Sequence, residues 1–200
     1  ATGEPSAELT SNEARLEVPG RFTFVPLSVD QKLAVLDARA EVGDPPAPNP
    51  LFNKLIANIP LGHSGEARPQ DVAVTPDHTR AYVITRRRGG SGGKIEPGRV
   101  VVADTVGLRQ VEITLSASQP FSGTVRTDSI YLAADADPQD IVVDPFGQYA
   151  YISDARGGRI YVLDVNPNSA TYQTVIHTMV APGAKYGLKG LAIDPRGEFL

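Results

Sequence analysis

The chain contains no cysteine among its 200 residues, and it has no long apolar run. The absence of cysteine excludes disulfide bonds, zinc sites built from thiolates and a cysteine nucleophile. Its apolar runs are only a few residues long, far short of a membrane span, so we expect no lipid-embedded segment. The first residues show neither the basic nor the apolar segment of a signal peptide, and we expect that such a peptide was absent or removed.

An excess of positive charge is also missing. The sequence has 19 Lys and Arg residues against 23 Asp and Glu residues, and its formal net charge is −4. Proteins dedicated to nucleic-acid binding usually carry a basic excess on one face. We therefore expect no nucleic-acid partner.

Long helical periodicity is hard to find. Apolar residues come instead in runs of three to five, flanked by Gly, Pro, Asp and Asn, and the chain holds 19 glycines and 17 prolines. Short apolar runs between turn-forming residues are typical of β-strands joined by turns. The sequence predicts an all-β protein.

An internal repeat decides the expected architecture. The segment PQDVAVTPDHTRAY (69–82) matches PQDIVVDPFGQYAY (138–151) at seven of fourteen positions, and LKGLAIDPRGEFL (188–200) keeps the Asp-Pro-x-Gly turn. Downstream, YISDARGGRIYVLD (151–164) is similar to FVPLSVDQKLAVLD (24–37). Units are predicted to begin near residues 11, 69, 138 and 188, the last of them truncated, after an N-terminal extension or linker of residues 1–10.

Each unit predicts four antiparallel strands. An apolar first strand (72–75, 141–144, 191–194) precedes a second strand with an aromatic (22–25, 81–85, 149–153) and a third ending in Asp (33–37, 100–104, 160–164). The fourth strand is more variable and reads FNKLIANI, RQVEITL or YQTVIHTMV. Four strands in roughly fifty residues are the pattern of a β-propeller blade, and a β-sandwich with coincidental repeats is the weaker alternative.

These motifs resemble a known family. The pattern P-x-D-[VI]-x-V-x-P-[DF]-x-x-x-A-Y-[VI], followed by G-[RK]-[IV]-x-V-x-D, is similar to the YVTN-type, YncE-like β-propeller repeat of bacteria and archaea. The resemblance implies a propeller of usually seven blades. Such propellers include surface-layer and adhesion domains, periplasmic binding proteins, lactonases and redox subunits, so the resemblance specifies a fold and no single activity.

The chain accounts for about three and a half blades, whereas propellers close with four to eight. We expect it to be the N-terminal part of a longer, seven-bladed ring, completed by the same chain or by another subunit. A sheet edge left open would expose unpaired backbone groups.

The stretch TRRRGGSGGKIEPGR (85–99) is an enlarged hairpin between the second and third strands of the second unit. It is not a phosphate-binding P-loop, because Gly93-Lys94 is followed by Ile95 and no helix is predicted. Its cations are candidates for contact with an anionic partner, although a solvated surface hairpin is the favoured interpretation. They are Arg86, Arg87, Arg88, Lys94 and Arg99.

The loops from each fourth strand to the next first strand should converge at one rim of the central channel, where propellers commonly bind ligands. This rim is the predicted site for a protein, a carbohydrate or another polar ligand, with a salt-bridged surface as the alternative. The candidate residues are His63, Glu66, Arg68, Asp135, Asp137, Lys185, Tyr186 and Lys189.

The sequence gives little support for a metal site, a cofactor site or a catalytic serine. The histidines lack metal-ligand spacing, and DADPQD (135–140) lacks the glycine and glutamate of a calcium loop, so no metal is expected. Asp71 and Asp140 are predicted to bond nearby backbone, and the Asp that ends each third strand is predicted to form a turn. No heme, dinucleotide or G-x-S-x-G motif is present, and no cofactor is expected.

The sequence therefore predicts a non-catalytic binding or scaffold propeller in an extracytoplasmic or cell-surface prokaryotic protein. The alternative is a propeller enzyme, a lactonase-like hydrolase or a redox-associated subunit, with its site at the channel rim. No catalytic residue can be named from the sequence.

Overall fold

All regular structure in the described part of the chain is β. No α-helix is present there, and so none could cross a membrane. The computed structural model describes residues 22–62, 68–86, 88–89, 95–96, 98–113, 128–181, 183 and 187–200.

The first sheet has three strands in the order β1-β2-β5. They are β1 (Phe22–Leu27), β2 (Lys32–Asp37) and β5 (Leu55–Pro60), and a two-stranded hairpin of β3 (Glu41–Val42) and β4 (Ala47–Pro48) interrupts the connection to β5. The register of β1 on β2 begins with Phe22 opposite Asp37. The first unit was predicted to begin near residue 11, and residues 11–21 lie outside the described part.

The second sheet runs β11-β10-β7-β6, with β12 also paired to β10. Its strands are β6 (Pro69–Val74), β7 (Arg80–Thr85), β10 (Arg99–Asp104), β11 (Arg109–Gln110) and β12 (Ile130–Tyr131). Valine and isoleucine are frequent in β7 and β10, as expected of strands buried on both faces.

The fourth strand of this sheet differs from the prediction RQVEITL. The segment β11 pairs with the end of β10 and β12 pairs with its beginning, so two short segments share one edge. The chain leaves the ladder after Val111, whose amide bonds Val102, and buries Ile113 in the core. Burial of one isoleucine side chain thus takes precedence over continued pairing.

The third sheet is complete, with four consecutive strands. These are β13 (Pro138–Val143), β14 (Tyr149–Asp154), β15 (Arg159–Asp164) and β16 (Val175–Val180). Tyr149 stands opposite Asp164, as Phe22 stands opposite Asp37 in the first sheet. The two segments thus share one register, as expected of repeated units.

Residues 191–194, predicted as a further first strand, do not form one. The turn that follows is present, with the Asp194 amide bonded to the Phe199 carbonyl at 3.1 Å. The Leu191 amide instead donates to the carboxylate of Asp140 at 2.6 Å.

Apolar side chains join the sheets face to face. From β7, Tyr82 and Ile84 pack toward the third sheet, whereas Ala81 and Val83 pack toward the first. The inner strands are also neighbours, since β6 contacts β13, the first strand of the third blade, and β1, a second strand of the first blade. Consecutive antiparallel sheets packed in this way, with their first strands innermost, are the blades of a β-propeller, which confirms the predicted fold class.

The proline turns of adjacent blades also touch. A Cβ built on Gly147 in the third blade would lie 3.3 Å from the ring of Pro76 in the second. A Cβ on Gly197 would lie 3.4 Å from Pro145. Both glycines have positive φ, and His78 holds the same conformation at the matching position of the second blade.

Gly98 lies where the second blade packs tightly against the third, and its amide donates to the Ala136 carbonyl at 2.9 Å. A Cβ at this position would clash with the Pro138 ring and lie 2.7 Å from the Thr85 carbonyl oxygen. We expect Gly98→Ala to lower the free energy of unfolding by about 2 kcal/mol, as overpacking does in a core. Urea denaturation measures this change.

Gly190→Ala is the matched control, because the nearest atom to its added Cβ is an Asp140 oxygen 3.8 Å away. Its effect should stay within about 0.5 kcal/mol. Equal losses in the two variants would contradict the close approach at Gly98.

Candidate functional site

One edge of the blades, which we call the loop rim, carries the loops leading into the first strands and the hairpins after the second strands. The Arg68 carbonyl accepts the Arg86 amide at 2.8 Å, and the Asp137 carbonyl accepts the Ala155 amide at 3.0 Å. The Lys189 carbonyl accepts the Ser153 hydroxyl at 3.2 Å. Both sets of candidates, the loop residues and the Arg/Gly hairpin, therefore belong to one edge.

Several predicted residues lie outside the described part of the chain. The backbone of the hairpin is described at β8 (Arg88–Gly89) and β9 (Ile95–Glu96), which pair antiparallel, and no side chain is described in these strands. The candidates that fall outside are His63, Glu66, Arg87, Lys94, Lys185 and Tyr186.

Asp154 is the centre of the loop rim at the third blade. Its side chain is fully buried, and it bonds the Arg159 guanidinium at 2.8 Å and the Tyr161 hydroxyl at 2.9 Å. It also accepts the Asp137 amide at 3.1 Å. The predicted residues Asp135 and Asp137 are thus brought together around a carboxylate that was not among the predicted residues.

Arg159 links this buried carboxylate to Asp135, with an ion pair of 2.8 Å to each. The hydrogen bond from Arg159 holds the pKa of Asp135 below its usual value. Burial, together with the bond to Asp154, raises the pKa of Tyr161 well above its usual value. The charges of this cluster are paired with one another and hold the loop in place. At this position the structure therefore agrees with the salt-bridged surface, the alternative to a ligand site.

Sequence comparison between blades contained a signal for this cluster. Asp154 aligns with Thr85, and Tyr161 aligns with Val101, so both positions differ between the second and third units. Thr85 bonds the Arg99 backbone with its hydroxyl, and Arg99 is itself buried. Arg99, one of the candidate cations of the hairpin, is therefore not an exposed surface charge.

Four exposed cations remain on the loop rim. Within the described residues, no ion pair joins them to an acidic side chain. Two of them flank the start of β6 and the end of β7, and the other two belong to the third hairpin and the segment entering the next unit. They are Arg68, Arg86, Arg156 and Lys189.

The innermost strands carry a second feature, a line of carboxylates that crosses the blade seams. Asp71 accepts the Ile141 amide of the next blade at 3.0 Å, and Asp140 accepts the Leu191 amide at 2.6 Å. A register shift precedes both residues, between Pro69 and Asp71 and between Pro138 and Asp140. Such bulges redirect side chains, which explains why both carboxylates point to the following blade.

Backbone bonding by these two residues was predicted, and it is confirmed, with the addition that it spans neighbouring blades. Burial and the adjacent Asp140 carboxyl raise the pKa of Asp71 to about 6. A carboxyl group with this pKa is partly protonated near neutral pH. It is the one inner-strand group on the described part of the chain for which a raised pKa is resolved.

The predicted turn role of the Asp at the end of each third strand is confirmed. Asp37 accepts the Arg39 amide, Asp104 accepts the Val106 amide and Asp164 accepts the Asn166 amide, at 2.9 to 3.0 Å. Each is an Asx-type turn that stabilises the strand end. These residues shape the edge opposite the loop rim.

The remaining candidates for metal chemistry stand apart. Asp135 pairs with Arg159, whereas Asp140 bonds backbone amides on the inner strands. His177 is exposed on β16, as expected of an outer strand. Within the described residues, no group of three or more His, Asp or Glu side chains is placed to hold a metal ion.

Comparisons with known proteins support the fold. No family model and no curated protein sequence matches the chain. Among solved structures it is similar to hydrazine synthase of Kuenenia stuttgartiensis, with a TM-score of 0.58 and 17% identity, over 95% of this chain and 43% of that one. At this identity the likeness shows the β-propeller fold alone.

Two further solved structures are similar at lower TM-scores. The dihydro-heme d1 dehydrogenase NirN in complex with DHE gives 0.44 at 17% identity, over 90% of this chain and 28% of that chain. U3-55K gives 0.45 at 11% identity, over 80% and 36%. The chain spans less than half the length of each of the three proteins.

The raised pKa of Asp71 makes stability depend on pH. An ordinary Asp in the unfolded chain has a pKa of about 3.9, so the folded protein binds an extra proton between about pH 4 and pH 6. The free energy of unfolding should therefore fall as pH rises through about 6. Because Asp71 is only half-buried, we expect a loss of about 1 kcal/mol, smaller than the full shift implies.

Urea unfolding at about pH 4.5 and about pH 7 measures this slope, and Asp71→Asn should flatten it. The amide oxygen of Asn can still accept the Ile141 amide. Asp77→Asn is the control, since hydrogen bonds from Thr75 and Thr79 outweigh partial burial and lower the pKa of Asp77. An unchanged slope in the Asp71 variant would contradict the assignment.

Proposed function

We propose that the chain is a non-catalytic binding module, part of a propeller whose loop rim contacts a partner bearing carboxylates. The exposed cations of this rim, which have no ion-pair partner within the described residues, carry the proposal. In the sequence, the Arg/Gly hairpin that follows Arg86 contains further cations. The backbones of Arg68 and Arg86 are bonded to each other.

The distribution of charge supports this role. The chain is acidic overall, yet four of the described acidic groups at this edge are engaged, Asp154 and Asp135 with Arg159, and Asp71 and Asp140 with backbone amides. The exposed charged side chains described at this edge that lack an ion pair are basic, whereas Asp137 is only partly exposed. A basic edge on an acidic protein attracts and orients an anionic partner.

The repeat is the basis for proposing a family, a blade number and a cellular location. The motifs support membership of the YVTN-type, YncE-like propellers, a ring of seven blades and a location in the periplasm or at the cell surface. The partner is then an acidic protein segment or an acidic glycan of that compartment. The remaining blades belong to the same chain or to another subunit.

One observation favours the enzyme alternative. The Asp71 carboxyl lies beside Asp140 on the inner strands and has a pKa of about 6, which suits a general acid or base near neutral pH. The same carboxylate accepts the Ile141 amide, a structural role that explains its position without catalysis. The binding role is therefore favoured over a hydrolase or a redox-associated subunit.

Reversal of charge at the loop rim tests the proposal. We expect the wild-type chain to bind immobilised poly-glutamate in a salt-dependent manner, because exposed charges are screened by ions. The double variant Arg68→Glu, Arg86→Glu should weaken binding by about tenfold or more. Surface plasmon resonance at several salt concentrations measures both effects.

Arg196→Glu is the matched control, because Arg196 is exposed in a proline turn at the opposite edge. That variant should keep nearly the affinity of the wild type. An equal loss in both variants would mean that overall charge, and not the loop rim, governs binding.

A further inference from the structure

A cleft lies at the edge opposite the loop rim. It has a volume of about 450 Å³ and lies between the second and third blades. The proline turns of both blades form its sides, and the loop of residues 165–174 between β15 and β16 closes one end. Its volume falls in the range of small-molecule sites, about 300–1,000 Å³.

The loop that closes the cleft is held in a fixed shape. The carboxylate of Asp164 accepts the hydroxyls of Ser169 and Thr171, both at 2.5 Å. The side-chain amide of Asn166 donates to the oxygen of Gln148 at 2.9 Å, which ties the loop to the proline turn of its own blade. Because this loop is already ordered, a ligand that contacts it does not have to restrict the loop's conformation on binding.

The cleft offers polar groups that the described part of the chain leaves unused. Arg80 donates from Nη1 to the Thr79 carbonyl at 2.7 Å and forms an ion pair with Asp104 at 3.6 Å, and its buried Nε has no hydrogen-bond partner within that part. The side-chain amide of Asn168, which is exposed on the loop, makes no hydrogen bond to a described residue. The partly exposed guanidinium of Arg80 and the amide of Asn168 are donors and acceptors for a polar ligand.

An aromatic ring lies at the mouth of the cleft. Phe146 is 68% exposed, although a phenylalanine side chain normally gains from burial. Its turn is fixed by Asp144, which accepts the Phe146 and Tyr149 amides, so the ring is presented from a rigid position. An exposed and rigidly mounted ring is suited to stacking against a ligand.

The charge of the lining is balanced. Asp77 and Arg80 are the charged side chains among its lining residues, and the other polar groups are amides and hydroxyls. A strongly charged ligand would be repelled by one of the two. A neutral ligand with many hydroxyls and one apolar face would satisfy the whole surface.

We propose that this cleft binds a neutral sugar unit of a glycan. The C–H bonds on one face of a pyranose ring meet the electron-rich face of Phe146. Its hydroxyls bond Arg80, Asn168 and the Asp77 carboxylate. The site is separate from the loop rim and does not depend on the function proposed for that rim.

The experiment is an NMR titration of the full chain with methyl glucoside, methyl mannoside and N-acetylglucosamine, up to about 50 mM, a concentration suited to millimolar Kd values. At least one sugar should shift the signals of Gly147, Asn166 and the Asn168 side chain. Phe146→Ala and Asn168→Ala should each weaken binding by about fivefold or more, since aromatic contacts are worth up to about tenfold.

Phe199→Ala is the control, because Phe199 is also exposed and does not line the cleft. It should bind the sugar as the wild type does, and melting temperatures should show that all variants fold. The proposal is overturned if no sugar shifts these signals, if glucuronate binds more tightly than the neutral sugars, or if the Phe199 and Phe146 variants lose affinity equally. Occupation of the cleft by a peptide in preference to sugars would also overturn it.

Discussion

The structure depends on a carboxylate that reaches from the inner strand of one blade to an amide of the next. Asp71 holds Ile141 in this way, and Asp140 holds Leu191. Neighbouring inner strands are not paired in a common sheet, so these carboxylates supply the hydrogen bonds across the seam. The Ile141 amide is shared between Asp71 and the Asp140 carboxylate of its own strand. The loop rim and the opposite cleft are both assembled from adjacent blades, and both therefore require this alignment.

The carboxylates that form hydrogen bonds across the seams also repel one another. Consecutive blades place consecutive carboxylates in one line, and Asp71 is held beside Asp140 as a result. Two like charges in a half-buried position raise the energy of the ionised form. The apolar clusters on both sides of the second sheet supply the stability that keeps the seam closed.

The sequence predicted the strands whose pattern repeats. The second and third strands of each blade match their predicted limits within one or two residues, because strand pairing and the terminal Asp turn are local. The divided fourth strand of the second blade was missed, since burial of Ile113 depends on the packed core. The Asp154 cluster was missed for a similar reason: it joins Asp135 to Arg159 across 24 residues. The cleft arises only when loops of two blades meet.

The seam has a direction. The second and third blades each present a carboxylate and a proline to the unit that follows, which contributes an amide and a turn glycine. The interface is heterologous, like that of subunits in a head-to-tail assembly, and every blade that keeps these groups fits behind any other. Gene duplication could therefore lengthen such an array one unit at a time without redesign of the joint. The loops could then vary from unit to unit while the strands and the seam contacts stay the same.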